Sequence, residues 1–152
     1  DNGGRGFEAI APDGTIVFGS RDQLTVTNSL SGSFIFTSKM GISVYLRHYW
    51  SSVDVQETFA LQENGNMVPL DYPGELDHNF NAFNIDVSYT WEFAPGSELI
   101  LFWKNSGLHN DHLIIPGYYS NVRGILQQPK YNGFSIKLLY YIDYFTTKQR
   151  LF

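Results

Sequence analysis

The chain of 152 residues contains no cysteine, which excludes disulfides, thiol nucleophiles and cysteine-based metal sites. Long hydrophobic runs are also absent. The longest, such as Leu99 to Trp103, span about five residues, whereas a helical membrane span needs roughly 20. Basic residues are few, and the formal charge of −5 argues against a nucleic-acid surface. Nothing in the sequence predicts a cofactor.

Aromatic residues are abundant, at 16% of the chain. Membrane β-barrels concentrate such residues at both lipid interfaces, but soluble β-sandwiches are also rich in them, so composition leaves both classes open. The first six residues lack the apolar core of a signal peptide. Because a barrel protein must be exported, we expect the chain to be a piece of a longer precursor.

Apolar and polar residues alternate with a period of two, most clearly between Phe83 and Phe93. The connections between such segments are alternately very short and very long. This combination predicts an all-β, antiparallel transmembrane β-barrel fragment with short periplasmic turns at 37–39 and 94–97 and long loops outside. The five predicted strands are 23–36, 40–52, 80–93, 98–105 and 131–144.

These strands divide the chain into an extracellular loop segment at 1–22, barrel strands at 23–144 and a periplasmic tail at 145–152. Bacterial barrels need at least about eight strands, so the remaining strands must come from an upstream segment or another chain. The predicted location is the outer membrane of a Gram-negative bacterium, with a periplasmic C-terminus. Expected partners are outer-membrane lipid and the barrel-assembly machinery, and no nucleic acid is expected.

Three stretches carry a family resemblance. Phe80 to Ser106, which includes the turn FAPGSEL and its continuation WKNS, resembles the C-terminal part of the outer-membrane family called domain of unknown function 5916. Asp22 to Leu46 and Phe134 to Tyr144 look like that family's terminal strands. The resemblance implies a barrel preceded by a family-nine-type carbohydrate-binding domain. That domain has no counterpart here, and the resemblance supplies no catalytic residues.

Charged residues fall on the predicted lumen face of the strands. If Glu92 and Glu98 face each other across the turn, Asp86 and Lys104 lie opposite one another. We interpret these two residues as a cross-strand ion pair that stabilises the barrel wall, rather than as charges lining a path for a solute. Glu92 and Glu98 also have the residue types of a glycosidase pair, but solvated turn charges explain them better. The lumen-facing set is Arg47, Asp86, Glu92, Glu98, Lys104, Lys137 and Asp143.

His109, Asp111 and His112 combine side chains that bind metals, but in a loop they are more simply polar, and we predict no metal. His48, near Trp50, is predicted on the lipid face. Aromatic residues near strand ends predict two girdles, formed by Trp50, Trp91, Phe93, Trp103, Tyr140 and Tyr144. Tyr140, Tyr144 and Phe152 suit an aromatic assembly signal at the end of a barrel.

The favoured function is that of a non-enzymatic outer-membrane module, serving as a pore, an anchor or a subunit of an envelope complex. One alternative is a barrel that binds or processes glycans through its loops or lumen. The other is a soluble β-sandwich or lipocalin-like binding protein.

Overall fold

The computed structural model describes residues 2–142. These residues form one antiparallel sheet in the order β1-β2-β3-β5-β6-β7, with β4 paired to β3. The predicted all-β, antiparallel class is therefore confirmed. The elements are β1 Asn2–Ile10, β2 Ile16–Thr37, β3 Met40–Leu61, β4 Met67–Pro69, β5 His78–Ala94, β6 Ser97–Asp111, α1 Tyr118–Gln127 and β7 Tyr131–Leu139. In the described part of the chain, no helix is long and apolar enough to cross a membrane.

The described chain divides into two compact units. The first unit comprises residues 2–28, 48–83 and 107–129, and the second comprises 29–47, 84–106 and 130–142. The first unit contains α1 and the buried side chains Val17, Trp50, Phe59 and Ile125. The second contains the two tight turns and the β6–β7 pair.

The N-terminal segment is not a loop, so the prediction for residues 1–22 is wrong. Residues 2–10 form β1, which pairs with the start of β2 through partners such as Phe7 and Phe18. One of the glycines that suggested a loop, Gly6, instead permits close packing. A Cβ on Gly6 would lie 2.7 Å from Cζ of Arg21, whose Nη1 is 3.2 Å from Oε1 of Glu8. Glycine inside a strand often marks such a close approach.

The central strand predictions locate β3, β5 and β6 correctly but end too early. β3 continues to Leu61 and β6 to Asp111, because pairing, rather than an apolar face, determines where a strand ends. At the end of β3, for example, Phe59 pairs with Pro69 of β4. The second predicted loop contains α1, and β7 ends at Leu139 rather than at residue 144. Asp143, Tyr144, Phe152 and the tail at 145–152 lie outside the described residues.

The β5–β6 turn places Gly96 at φ 72°, a backbone conformation that favours glycine. A Cβ there would also lie 3.2 Å from Cβ of Tyr141. We expect Gly96→Ala to lower the free energy of unfolding by about 1–2 kcal/mol, measured by chemical denaturation. Gly32→Ala is the matched control, because Gly32 has open space and no positive φ. Equal losses in both variants would contradict the turn argument.

Candidate functional site

The β6–β7 pair of the second unit carries a ladder of facing apolar side chains. Its rungs pair Leu99 with Leu138, Leu101 with Ile136 and Trp103 with Phe134. The β7 members are strongly exposed, at 78% for Phe134, 74% for Ile136 and 63% for Leu138. The Trp103 and Phe134 rings stack at 6.4 Å. A contiguous apolar face of this kind marks a surface that contacts lipid or another protein.

Aromatic side chains also gather near the β5–β6 turn in the second unit. Trp91 contacts Phe93 at 5.8 Å, and Phe93 stacks on Tyr140 at 6.3 Å. Trp91 and Tyr140 are exposed, at 40% and 68%. The structure therefore brings three of the predicted girdle residues together on the surface of this unit.

Trp50 and His48 do not occupy the predicted lipid interface. Trp50 is 4% exposed and His48 is 3% exposed, so the prediction that they lie on the surface is wrong. The reason is α1, which the sequence did not predict. Its Tyr118 ring lies 5.7 Å from the His48 ring and 6.5 Å from the Trp50 ring.

Three of the predicted lumen-facing carboxylates line cavities in the second unit. Asp86 borders a cavity of about 510 Å³ together with Ser31, Ser33, Ser43, Tyr45, Ser88 and Phe102. Glu92 and Glu98 border another of about 570 Å³ at the turns. The basic members of the predicted set within the described chain, namely Arg47, Lys104 and Lys137, are exposed.

Within residues 2–142, the predicted ion pair between Asp86 and Lys104 is not formed; ion pairs that are formed there include Arg21–Glu8 and His109–Asp111. Oδ2 of Asp86 instead accepts a hydrogen bond from Asn84 at 3.4 Å, and its Oδ1 is buried without a partner. Lys104 remains hydrated. For an exposed lysine, hydration contributes about as much free energy as a surface ion pair would.

A buried amide cluster joins α1 to the strands of the first unit. Asn79, Asn81 and Asn121 are 0%, 2% and 1% exposed. Oδ1 of Asn121 accepts hydrogen bonds from Asn79 at 3.0 Å and Asn81 at 3.1 Å, and Trp50 donates to Oδ1 of Asn79 at 2.8 Å. Sequence reasoning missed this cluster. Asn79 preceded the predicted strand and Asn121 lay in a predicted loop, so nothing linked them.

His48 lies beside this cluster. Both ring nitrogens are buried without a hydrogen-bond partner, as is Oδ1 of Asn81. Burial lowers the pKa of His48 from its ordinary value of 6.5, and the neighbouring Asn81 amide raises it by a smaller amount. The site therefore holds a neutral imidazole near pH 7, in surroundings that disfavour its charged form.

An acidic cleft of about 650 Å³ in the first unit contains two of the weak metal candidates, Asp111 and His112. Each of the two side chains already has a hydrogen-bond partner for one of its polar atoms. Nδ1 of His112 lies 2.9 Å from the Asp77 carbonyl, and Oδ1 of Asp111 accepts the Leu113 N–H at 3.3 Å. Nε2 of His109 is 3.8 Å from Oδ2 of Asp111. Within residues 2–142, no three acidic, histidine or cysteine side chains are placed to hold a metal ion.

Comparison with protein families gives one finding. The family model described as Domain of unknown function (DUF5916) matches residues 1–151, which confirms the resemblance seen in the sequence. Neither the curated proteins nor the solved structures contain a match. The family description assigns no chemistry to the chain.

Proposed function

We propose, for a chain that belongs to the family Domain of unknown function (DUF5916), that its second unit is part of the wall of a transmembrane β-barrel. The role is non-enzymatic: the wall serves as a pore, an anchor or a subunit of a complex in the outer membrane of a Gram-negative bacterium. This proposal rests on the exposed faces of the second unit. The proposed membrane-crossing segments include no residues of the first unit.

The apolar ladder on β6 and β7 is the observation that carries the proposal. Phe134, Ile136 and Leu138 leave most of their surface uncovered, at an unfavourable cost in water of about 25 cal/mol for each Å² of apolar area. Lipid removes that cost. Between these residues, Ser135 and Lys137 alternate on the opposite face, as expected for a wall with one lipid side and one aqueous side.

Strand length and aromatic position agree with this function. The strand segments in the second unit are 29–37, 40–47, 84–94, 97–106 and 131–139, close to the roughly 9–11 residues that cross a membrane when tilted. Trp91, Phe93 and Tyr140 cluster near the turn at 94–97, where an interfacial girdle would lie.

The proposal requires partners. Among the described residues, β1 pairs only with residues 16–22 of β2 in the first unit, so the edges of the proposed wall are residues 29–37 of β2 and β7. Further strands, from an upstream segment or another chain, would complete the wall. The barrel-assembly machinery would recognise the aromatic segment at and after β7, of which Tyr140 is described. The orientation places the turns at 37–39 and 94–97 in the periplasm, together with the C-terminus.

Flotation of the full chain with phospholipid vesicles tests the proposal. We expect the refolded chain to float with the vesicles, to remain there in carbonate at high pH, and to be protected from trypsin at Lys104 and Lys137 in the second unit. A folded, monomeric chain that stays in detergent-free buffer and ignores the vesicles would overturn the membrane function and favour a soluble β-protein.

A further inference from the structure

The helix α1 covers a buried histidine whose charged form is disfavoured by burial. His48 is 3% exposed, and Nδ1 and Nε2 lack hydrogen-bond partners. The groups seen to face it are uncharged: the Tyr118 ring on α1, which bonds to Asn28 of β2 at 3.0 Å, and the Asn81 amide on β5. Within the described residues, no Asp or Glu forms an ion pair with it.

The helix itself is poorly able to persist without this contact. It has ten residues, no side-chain cap, no acidic residue in its first turn and no basic residue in its last. An isolated helix shorter than about 12–15 residues is marginal in water even with good helix formers. Its attachment depends on Ile125, which is 1% exposed, and on Asn121 in the amide cluster.

We propose that α1 is an acid-released cover whose docking on the strands of the first unit is controlled by protonation of His48. When the cover is docked, burial favours the neutral imidazole over the imidazolium. When the cover lifts, water solvates the imidazolium. Acid therefore favours the open form, which exposes His48, Trp50 and the amide cluster.

The direction and steepness of the response follow from linkage. Docking is at full strength above the ordinary histidine pKa of 6.5 and weakens as the pH falls from there toward the lowered pKa of the buried ring. One proton is involved, so the docking equilibrium changes by at most about tenfold for each pH unit. This inference goes beyond the proposed membrane function and does not depend on it.

Hydrogen exchange of the full chain tests the cover. Protection factors for the amides of Tyr118–Gln127 are measured between about pH 7.5 and 5, with correction for the intrinsic pH dependence of exchange. We expect them to fall by more than threefold below about pH 6.5, but by no more than about tenfold per pH unit. Protection that stays constant across this range would overturn the proposal.

Substitutions at two positions, His48 and His109, show whether His48 causes the response. His48→Phe keeps an aromatic ring under Tyr118 but cannot be protonated, so α1 should remain protected at pH 5; His48→Met serves the same purpose if the larger ring disturbs folding. His109→Gln is the matched control, since His109 is more exposed and should leave the response intact. A response that survives His48→Phe and His48→Met, or disappears in His109→Gln, would assign it to another group.

Discussion

Replacing Ile136 with arginine is expected to destabilise the folded chain in lipid vesicles by about 2–4 kcal/mol, the cost of a basic side chain near the middle of a membrane. Ile136 is 74% exposed and pairs with Leu101 in the central rung of the β6–β7 ladder. In water the same change at so exposed a position costs less than about 0.5 kcal/mol. Urea titration in vesicles measures the difference.

Ser135→Arg is the matched control for this prediction. Ser135 is the preceding residue on β7 and occupies the opposite face of the strand. We expect it to change stability by less than about 1 kcal/mol in the same vesicles, because the opposite face of a barrel wall is wet. Equal penalties for Ile136→Arg and Ser135→Arg, or none for either, would contradict the assignment of the two faces.

Asn79→Ala should reduce the free energy of unfolding of the first unit by about 2–4 kcal/mol. The Asn79 amide accepts from Nε1 of Trp50 and donates to Asn121 and the Leu113 carbonyl, so the alanine variant leaves buried polar atoms unpaired. Each unpaired buried group costs roughly 1–3 kcal/mol. Chemical denaturation followed by tryptophan fluorescence measures the loss.

The control for this substitution is Asn28→Ala. Asn28 also reaches the helix, because its Nδ2 donates to the Tyr118 hydroxyl at 3.0 Å, but the contact is exposed. Water replaces an exposed hydrogen bond, so a loss of about 0.5 kcal/mol is expected. If Asn79→Ala were no more damaging than Asn28→Ala, the amide cluster would not be what secures α1.

The sequence predicted those parts of the fold in which apolar and polar residues alternate along a short stretch. The pattern from Phe83 to Phe93 located β5 within two residues at each end, and Pro95-Gly96 predicted the turn that follows it. In each case the signal lies within a short stretch of neighbouring residues.

The missed features depend on partners that are distant in the chain. The glycines of β1 suggested a loop, because the sequence does not show that the Arg21 side chain packs against Gly6. The α1 segment has weak local helix signals, and it is held by the buried Ile125 and by Asn121, whose hydrogen-bond partners Asn79 and Asn81 lie some 40 residues away. Trp50 was therefore placed on the surface, because nothing local predicted that a helix would cover it.

The strand order has a thermodynamic consequence. Within the described sheet, β1 and β7 each have one neighbouring strand, so each has a row of backbone groups facing away from its neighbour. Groups that are paired by strands from another chain follow mass action, whereas groups paired within one precursor do not. Apparent stability that rises with protein concentration would therefore indicate a wall assembled from several polypeptides. Stability independent of dilution would point to completion by the same polypeptide.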